Sequence, residues 1–164
     1  MKILVSGGSG FLGTALSQAL LKQGHQIAIT SRDPAAHPPE NGIRVRRLTD
    51  LSATDYFDVV INLAGAGIAD QRWSEPRKQV LRDSRLNTTQ ALLDWMQIAV
   101  QKPSLFLSGS AIGFYGAQGD TELTESSAPH AEFVHQLCAD WEDTAKVAEE
   151  LGVRTVLLRT GVVL

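Results

Sequence analysis

A glycine-rich turn near the amino terminus constrains the fold of this 164-residue chain more than any other feature. It follows the short apolar run 2–6 and precedes residues 11–23, whose apolar side chains recur at helical spacing. The turn itself, residues 6–13, has the sequence Ser-Gly-Gly-Ser-Gly-Phe-Leu-Gly. Its early glycines allow a tight turn, and Gly13 lets the helix pack closely on the strand. This pattern predicts a buried strand that leads directly into a helix.

The rest of the chain repeats the alternation of strand and helix, which predicts the α/β class: a doubly wound parallel sheet, or Rossmann fold, with helices on both faces. We expect residues 1–164 to form one domain. The chain stops within apolar sequence at Leu164, so we expect an amino-terminal fragment of a longer protein. Further strands are predicted at 25–30, 43–48, 57–63, 104–108 and from 154 toward 164. Further helices are predicted from Ser74 to about Val100, where the pattern leaves open whether the helix is broken, and at 131–151. Loops are predicted at 31–42 and 109–130.

Composition excludes several classes of partner and site. The formal net charge of -3 gives no reason to expect nucleic acid or an anionic membrane surface as a partner. No apolar run approaches the ~18 residues of a membrane span. Cys138 is the single cysteine, which excludes an internal disulfide and favours the reducing cytoplasm. His135, Cys138 and Glu142 share a helix face, but nothing else with ligand spacing accompanies them, and we expect no metal.

The glycine turn has the chemistry of a phosphate-binding loop. Gly10 allows backbone to approach a pyrophosphate, and the start of the following helix offers unpaired N–H groups and a partial positive charge. A flexible loop is the alternative, but the strand before the turn and the helix after it favour dinucleotide binding. The predicted cofactor contacts in this segment are Gly7, Gly10, Phe11, Leu12 and Gly13.

The end of the second predicted strand bears on which dinucleotide binds. Sites selective for NAD usually place an acidic side chain there. This chain has Ser31 and Arg32, a hydroxyl and a guanidinium that suit the 2′-phosphate of NADP(H). In the alternative, Arg32 is solvated and Asp33 binds the ribose. Asp33 precedes Pro34 and is expected to turn away, which favours NADP(H).

Small residues follow the strand predicted at 57–63. They allow backbone to pass close to the ribose and nicotinamide of a cofactor lying at the carboxyl ends of the strands, although a plain turn is the alternative. We expect Leu63, Ala64 and Gly65 to contact the cofactor, together with Ser108 at the end of the next strand.

Three segments carry a resemblance to a known family: residues 7–13, 62–66 and 108–116. Together they resemble the extended short-chain dehydrogenase/reductases, which include nucleotide-sugar epimerases. The resemblance covers the whole chain. It implies an NAD(P)-binding domain followed by a smaller carboxyl-terminal substrate domain, which is absent from this chain. Four further motifs narrow the resemblance to an atypical subgroup of epimerase-family proteins of unassigned substrate: Arg72-Trp73, Ser84-Arg85, residues 137–142 and residues 158–164.

The usual chemistry of this family implies a tyrosine acid/base with a lysine one helical turn later, and a serine that polarises the substrate. Ser110 matches the serine. The tyrosine–lysine pair is missing, because Val134 and Cys138 stand in its two places. Tyr115 follows Ser110 in the same segment and is a candidate acid, with an aromatic plug of that loop as the alternative.

Arg85 departs from the family pattern, since it stands where the family usually has asparagine. It could bind a cofactor phosphate or an anionic group of the substrate. The nearby basic residues Arg77, Lys78 and Arg82 form, in the simplest interpretation, the solvated face of their helix.

Two functions follow from the sequence. The first is an NADP(H)-dependent oxidoreductase or epimerase acting on a small, in some members nucleotide-linked, substrate, with Ser110 and Tyr115 as catalytic residues. The second is a non-catalytic NADP(H)-binding sensor or scaffold, which the missing tyrosine–lysine pair favours. Because the family's helices often pack into dimers, a homodimer is left open.

Overall fold

Six parallel strands form one sheet in residues 1–37 and 42–163, the parts of the chain that the computed structural model describes. The strand order is β3-β2-β1-β4-β5-β6, so the chain changes direction across the sheet between β1 and β4. This order confirms the predicted doubly wound Rossmann fold. The strands are β1 Lys2–Ser6, β2 Gln26–Thr30, β3 Arg44–Arg46, β4 Val59–Asn62, β5 Leu105–Ala111 and β6 Arg154–Thr160.

Three helices cover the two faces of the sheet: α1 Phe11–Lys22, α2 Glu75–Ile98 and α3 Phe133–Glu150. The side chains of Ile3 and Val5 face the apolar side of α1, whereas Leu4 faces α2 and α3. This alternation along β1 is what a strand covered on both faces requires. Ser74 is the N-cap residue of α2, and its side chain accepts a hydrogen bond from Arg77 N at 3.3 Å. The helix is continuous, so the break that the sequence left open does not occur.

The predicted loop 109–130 is wrong at its beginning. Strand β5 continues through Gly109 and Ser110 to Ala111, and a 3-10 turn follows at Ile112–Tyr115. Gly109 lies within the strand and allows close packing, because a β-carbon there would lie 2.8 Å from Trp141 Cη2. Pairing with β6 supplies the hydrogen bonds that extend the strand.

Other boundaries move by one to four residues at the ends of the elements. The predicted loop 31–42 contains a 3-10 turn at Pro34–Ala36, and the predicted sixth strand ends at Thr160. The part of that loop at 38–41 and the last residue, Leu164, lie outside the described residues. None of the helices in the described parts of the chain combines the length and apolar character that crossing a bilayer requires.

Candidate active site at the carboxyl edge of the sheet

The glycine turn lies at the carboxyl edge of the sheet, where the parallel strands end. Gly7 has a φ of 76°, and a β-carbon on it would lie 2.7 Å from the carbonyl carbon of Leu63, just beyond β4. A β-carbon on Gly13 would lie 2.2 Å from Gly7 O. Both glycines are therefore required by the close approach of the turn, the first turn of α1 and the end of β4.

The start of α1 is open toward this edge. Gly10 is its N-cap residue, and no side chain in the described parts of the chain caps the helix. The backbone N–H groups of the first helical turn have no partners within the helix. Phe11 and Leu12 are exposed there, and no acidic residue lies in the first turn. The arrangement can therefore accept an anion at the helix N-terminus.

Beyond β2 the carboxylate of Asp33 is already engaged. Its Oδ1 accepts a hydrogen bond from Ala35 N at 3.1 Å and so caps the 3-10 turn. Ser31 Oγ donates to Asp33 O at 2.9 Å. Arg32 is exposed and forms no ion pair with any residue in the described parts of the chain. This geometry agrees with the expectation that Asp33 turns away and leaves Arg32 available.

Buried polar side chains hold the turn that follows β4. Asn62 is fully buried; its Nδ2 donates to Thr89 Oγ1 at 2.9 Å, and its Oδ1 accepts from Ala64 N at 3.3 Å. Gly65 then lies against Arg85, because a β-carbon on Gly65 would be 3.0 Å from Arg85 Cζ. The structure thus brings the predicted residues Leu63, Ala64, Gly65 and Arg85 to the edge that holds the glycine turn. Ser108 is fully buried beneath this edge and donates to Gly109 O at 3.3 Å.

A buried ion pair lies under Ser110. Glu142 of α3 is 0% exposed, and its Oε1 accepts hydrogen bonds from Ser110 Oγ at 2.6 Å and from Arg159 Nε at 2.8 Å. Arg159 Nη2 donates to Oε2 at 2.8 Å, which makes the pair bidentate. The hydrogen bonds that Arg159 donates to Glu142 raise the pKa of Arg159 above its ordinary value. The hydroxyl of Ser110 is thus fixed to a carboxylate that also binds this guanidinium.

The same arginine reaches Tyr115. Arg159 Nη1 donates to Tyr115 Oη at 2.9 Å and to Glu125 O at 3.1 Å. Its guanidinium also packs over Phe114, with Cζ 3.5 Å from the ring centroid. Ser110 and Tyr115, the two predicted catalytic residues, are thus joined through one ion pair.

Sequence reasoning did not single out Glu142 and Arg159 for this role. Glu142 entered only as one of three residues considered for a metal, and Arg159 only within a family motif. The pattern that could have identified Glu142 is its place on the apolar face of α3, four residues after Cys138 and three before Ala145. Arg159 directly follows the apolar residues 156–158 of β6. Such charges are rarely buried unless they are paired.

Val134 and Cys138, which the resemblance implies stand in place of the tyrosine and lysine, pack against the turn after β5. A β-carbon on Gly113 would lie 3.3 Å from Val134 Cβ and 3.7 Å from Cys138 Sγ. Cys138 is buried, which raises the pKa of its thiol. His135 points elsewhere, with Nδ1 2.6 Å from Phe114 O. In the described parts of the chain, no three His, Cys, Asp or Glu side chains lie close enough to hold a metal.

A Rossmann fold with a phosphate-binding glycine turn defines a class of dinucleotide-binding proteins. The model of the NAD dependent epimerase/dehydratase family matches residues 3–164, and the chain belongs to that family. This confirms the resemblance to the epimerase-family dehydrogenase/reductases.

Similar proteins include the epimerase family protein YfhF of Bacillus subtilis, which is 37% identical over 169 residues, covering 100% of this chain and 55% of that protein. The solved structure of human epimerase family protein SDR39U1 (isoform 2) with NADPH has a TM-score of 0.86 and 33% identity, and the match covers 100% of this chain and 55% of that one. A nucleoside-diphosphate sugar epimerase from Corynebacterium glutamicum has a TM-score of 0.80 and 30% identity, with 100% of this chain and 34% of that one covered. The chain spans about half the length of the curated relatives it matches.

Glu142→Gln should destabilise the chain strongly, since it removes the charge that compensates Arg159 in a buried site. We expect the free energy of unfolding to fall by about 3 kcal/mol in urea titrations. Asp140→Asn on the same helix is the control. Asp140 pairs with Arg82 at the surface, and its loss should cost less than about 1 kcal/mol. Equal, small losses from both variants would contradict the role assigned to Glu142.

Proposed function

We propose that this chain is the cofactor-binding part of an NADP(H)-dependent oxidoreductase or epimerase-like enzyme that acts on a small substrate. The observation that carries the proposal is the position of Ser110, fixed to the buried Glu142 at the carboxyl edge that also holds the glycine turn. The strand order supports the proposal. Strand β1 leads into the glycine turn and β5 carries Ser110, and only β4 lies between these two strands. Family membership and the NADPH named with the human structure support it further.

The residues at this edge fit a nicotinamide dinucleotide. Gly10 and the open N-terminus of α1, with Phe11 and Leu12, would hold the pyrophosphate. Ser31 and Arg32 would hold the 2′-phosphate, as the engaged carboxylate of Asp33 leaves the guanidinium without competition. The nicotinamide-side ribose would be held by the backbone of residues 63–65, which the sequence also predicts as contacts.

The bound dihydronicotinamide supplies a hydride, and the protein must orient the substrate and manage one proton. Ser110 donates its hydroxyl hydrogen bond to Glu142, so the lone pairs of its oxygen are free to accept a hydrogen bond from a substrate hydroxyl. Tyr115 Oη accepts from Arg159 and keeps its proton to donate to a substrate oxygen. The guanidinium of Arg159 would then stabilise the phenolate that remains. Tyr115 thus acts as the acid and Ser110 as the residue that positions the substrate.

A second candidate function is a non-catalytic NADP(H)-binding sensor or scaffold. The packing of Val134 and Cys138 against Gly113 favours it, because these are the positions at which the family carries its tyrosine and lysine. Neither side chain can supply a proton donor together with a fixed positive charge.

Transfer of a label from the cofactor distinguishes the two functions. NADPH deuterated at either face of C4 is incubated with the protein and a panel of aldehydes and ketones, and the products are analysed by mass spectrometry. The enzyme proposal predicts transfer from one face only, slowed about a hundredfold in Tyr115→Phe. Tight NADPH binding without transfer to any carbonyl compound would favour the sensor.

Gly10→Ala should weaken NADPH binding without unfolding the chain. A β-carbon at Gly10 meets only Gly7 O, at 3.2 Å, so the fold should lose no more than about 1 kcal/mol. The same β-carbon would stand where the phosphates approach. We expect the dissociation constant measured by calorimetry to rise at least about tenfold. Gly161→Ala is the control, because a β-carbon there has no neighbour within 4 Å; unchanged affinity in Gly10→Ala would remove the phosphate-loop assignment.

Arg32→Ala should weaken NADPH much more than NADH, because only NADPH carries the 2′-phosphate that the guanidinium would bind. The expected loss is about tenfold for NADPH, with NADH within about twofold of the unchanged chain. Arg154→Ala is the matched control. Arg154 begins β6 at the amino edge of the sheet, opposite the expected cofactor site, so its loss should change neither affinity. Equal losses for the two cofactors in Arg32→Ala would argue against a preference for NADP(H).

A further inference from the structure

We propose that Arg77 and Arg85 of α2 form a subsite for an oxyanion, the carboxylate or phosphate group of the substrate, beside the loop that follows β4. The proposal rests on the proposed function for one point only, that the anion belongs to a substrate that meets the bound cofactor.

The two guanidinium groups bind neighbouring carbonyls of one loop. Arg85 Nη2 donates to Ala66 O at 3.2 Å, and Arg77 Nη2 donates to Gly67 O at 2.5 Å. Since Ala66 and Gly67 are adjacent in the chain, the two arginine side chains converge on the same short stretch of backbone. That stretch directly follows Gly65 at the carboxyl edge, so the positive charges lie beside the expected cofactor site.

Arg85 carries a charge that no carboxylate neutralises. It forms no ion pair within residues 1–37 and 42–163. Its side chain is half-buried, with Cζ 5.3 Å from the centroid of Trp141, and Nη1 donates to Leu81 O at 2.9 Å. Burial lowers the pKa of Arg85, and the positive charge of Arg77 lowers it further. Arg85 therefore brings to the site a positive charge that no carboxylate in the described residues pairs with.

Arg77 is also incompletely satisfied. Its side chain is 11% exposed, and its carboxylate partner Asp70 lies 3.5 Å away and is 67% exposed. Its Nε is buried and has no hydrogen-bond partner among the described residues. The interpretation of Arg77 as part of a solvated basic face is therefore wrong, whereas Lys78 and Arg82 do pair with acidic residues near the surface.

An oxyanion would pair with the charge of Arg85 and accept hydrogen bonds from terminal N–H groups of the two guanidinium groups. A guanidinium presents five N–H donors in a rigid fork that matches carboxylate and phosphate oxygens, and each arginine here uses only part of that set on protein groups. Two like charges a short distance apart in a partly buried site also favour binding of a negative group. The structure thus points to substrates that carry a carboxylate or a phosphate.

The test uses protein saturated with NADPH, so that the glycine turn is occupied and cannot bind the probe. Inorganic phosphate and, separately, oxalate are titrated by calorimetry. We expect binding of at least one probe, weakened about tenfold or more in Arg85→Gln and in Arg77→Gln. The probe that binds more tightly identifies the class of oxyanion. Arg82→Gln, on the same helix, should bind as the unchanged chain does. Absence of binding by both probes would overturn the proposal.

Melting curves separate anion binding from a role in which the two arginines only clamp the loop. Lower melting temperatures in both glutamine variants with unchanged probe affinity would overturn the proposal. Arg85→Lys retains the positive charge but not the planar set of guanidinium donors. It replaces Arg85→Gln in the test if that variant does not fold, and we expect it to bind the probe with intermediate affinity. If NADPH itself does not bind, the proposed function fails. The titration is then repeated on Gly10→Ala, with the glycine turn obstructed, and still reports on Arg85.

Discussion

The carboxylate of Glu142 is the group on which the arrangement of this site depends. A fully buried charge costs several kcal/mol unless it is paired and hydrogen-bonded. Here Arg159 and Ser110 together supply three hydrogen bonds to it. The contact joins α3 to both β5 and β6, and through Arg159 it extends to Tyr115 in the turn after β5. Ser110 and Tyr115 are therefore held in fixed positions, as the proposed catalysis by positioned groups requires.

The source of positive charge at this edge differs from the family pattern. In that pattern, as the resemblance implies it, a lysine on the helix that follows β5 provides the charge. The residue that the resemblance implies for that place here is the buried Cys138, which packs near Gly113. The charges come from neighbouring elements instead, from Arg159 on β6 and from Arg85 on α2. The first is neutralised by Glu142, and the second has no carboxylate partner in the described residues. This contrast is why we assign Arg159 to the proton donor and Arg85 to an anionic ligand.

Local pattern was sufficient to predict the fold and the glycine turn. A strand, a glycine turn and a helix in direct succession leave few alternatives. The length of β5 was not predictable in the same way, because Gly109 is accommodated by its packing on Trp141 and by pairing with β6. Both interactions join residues that are distant in the chain. The pairing of Glu142 with Arg159 and the burial of Arg77 also depend on contacts between residues that are distant in the chain. The spacing of residues along α2 does not distinguish Arg77 from its exposed neighbours.

The most direct test of this account is a calorimetric titration of the unchanged chain with NADPH and with NADH at one salt concentration. The central claim is that the carboxyl edge of the sheet binds a nicotinamide dinucleotide with its pyrophosphate at the glycine turn and its 2′-phosphate at Arg32. It predicts one binding site per chain, with NADPH bound at least about tenfold more tightly than NADH. A folded chain that binds neither cofactor, or that binds NADH more tightly, would contradict it.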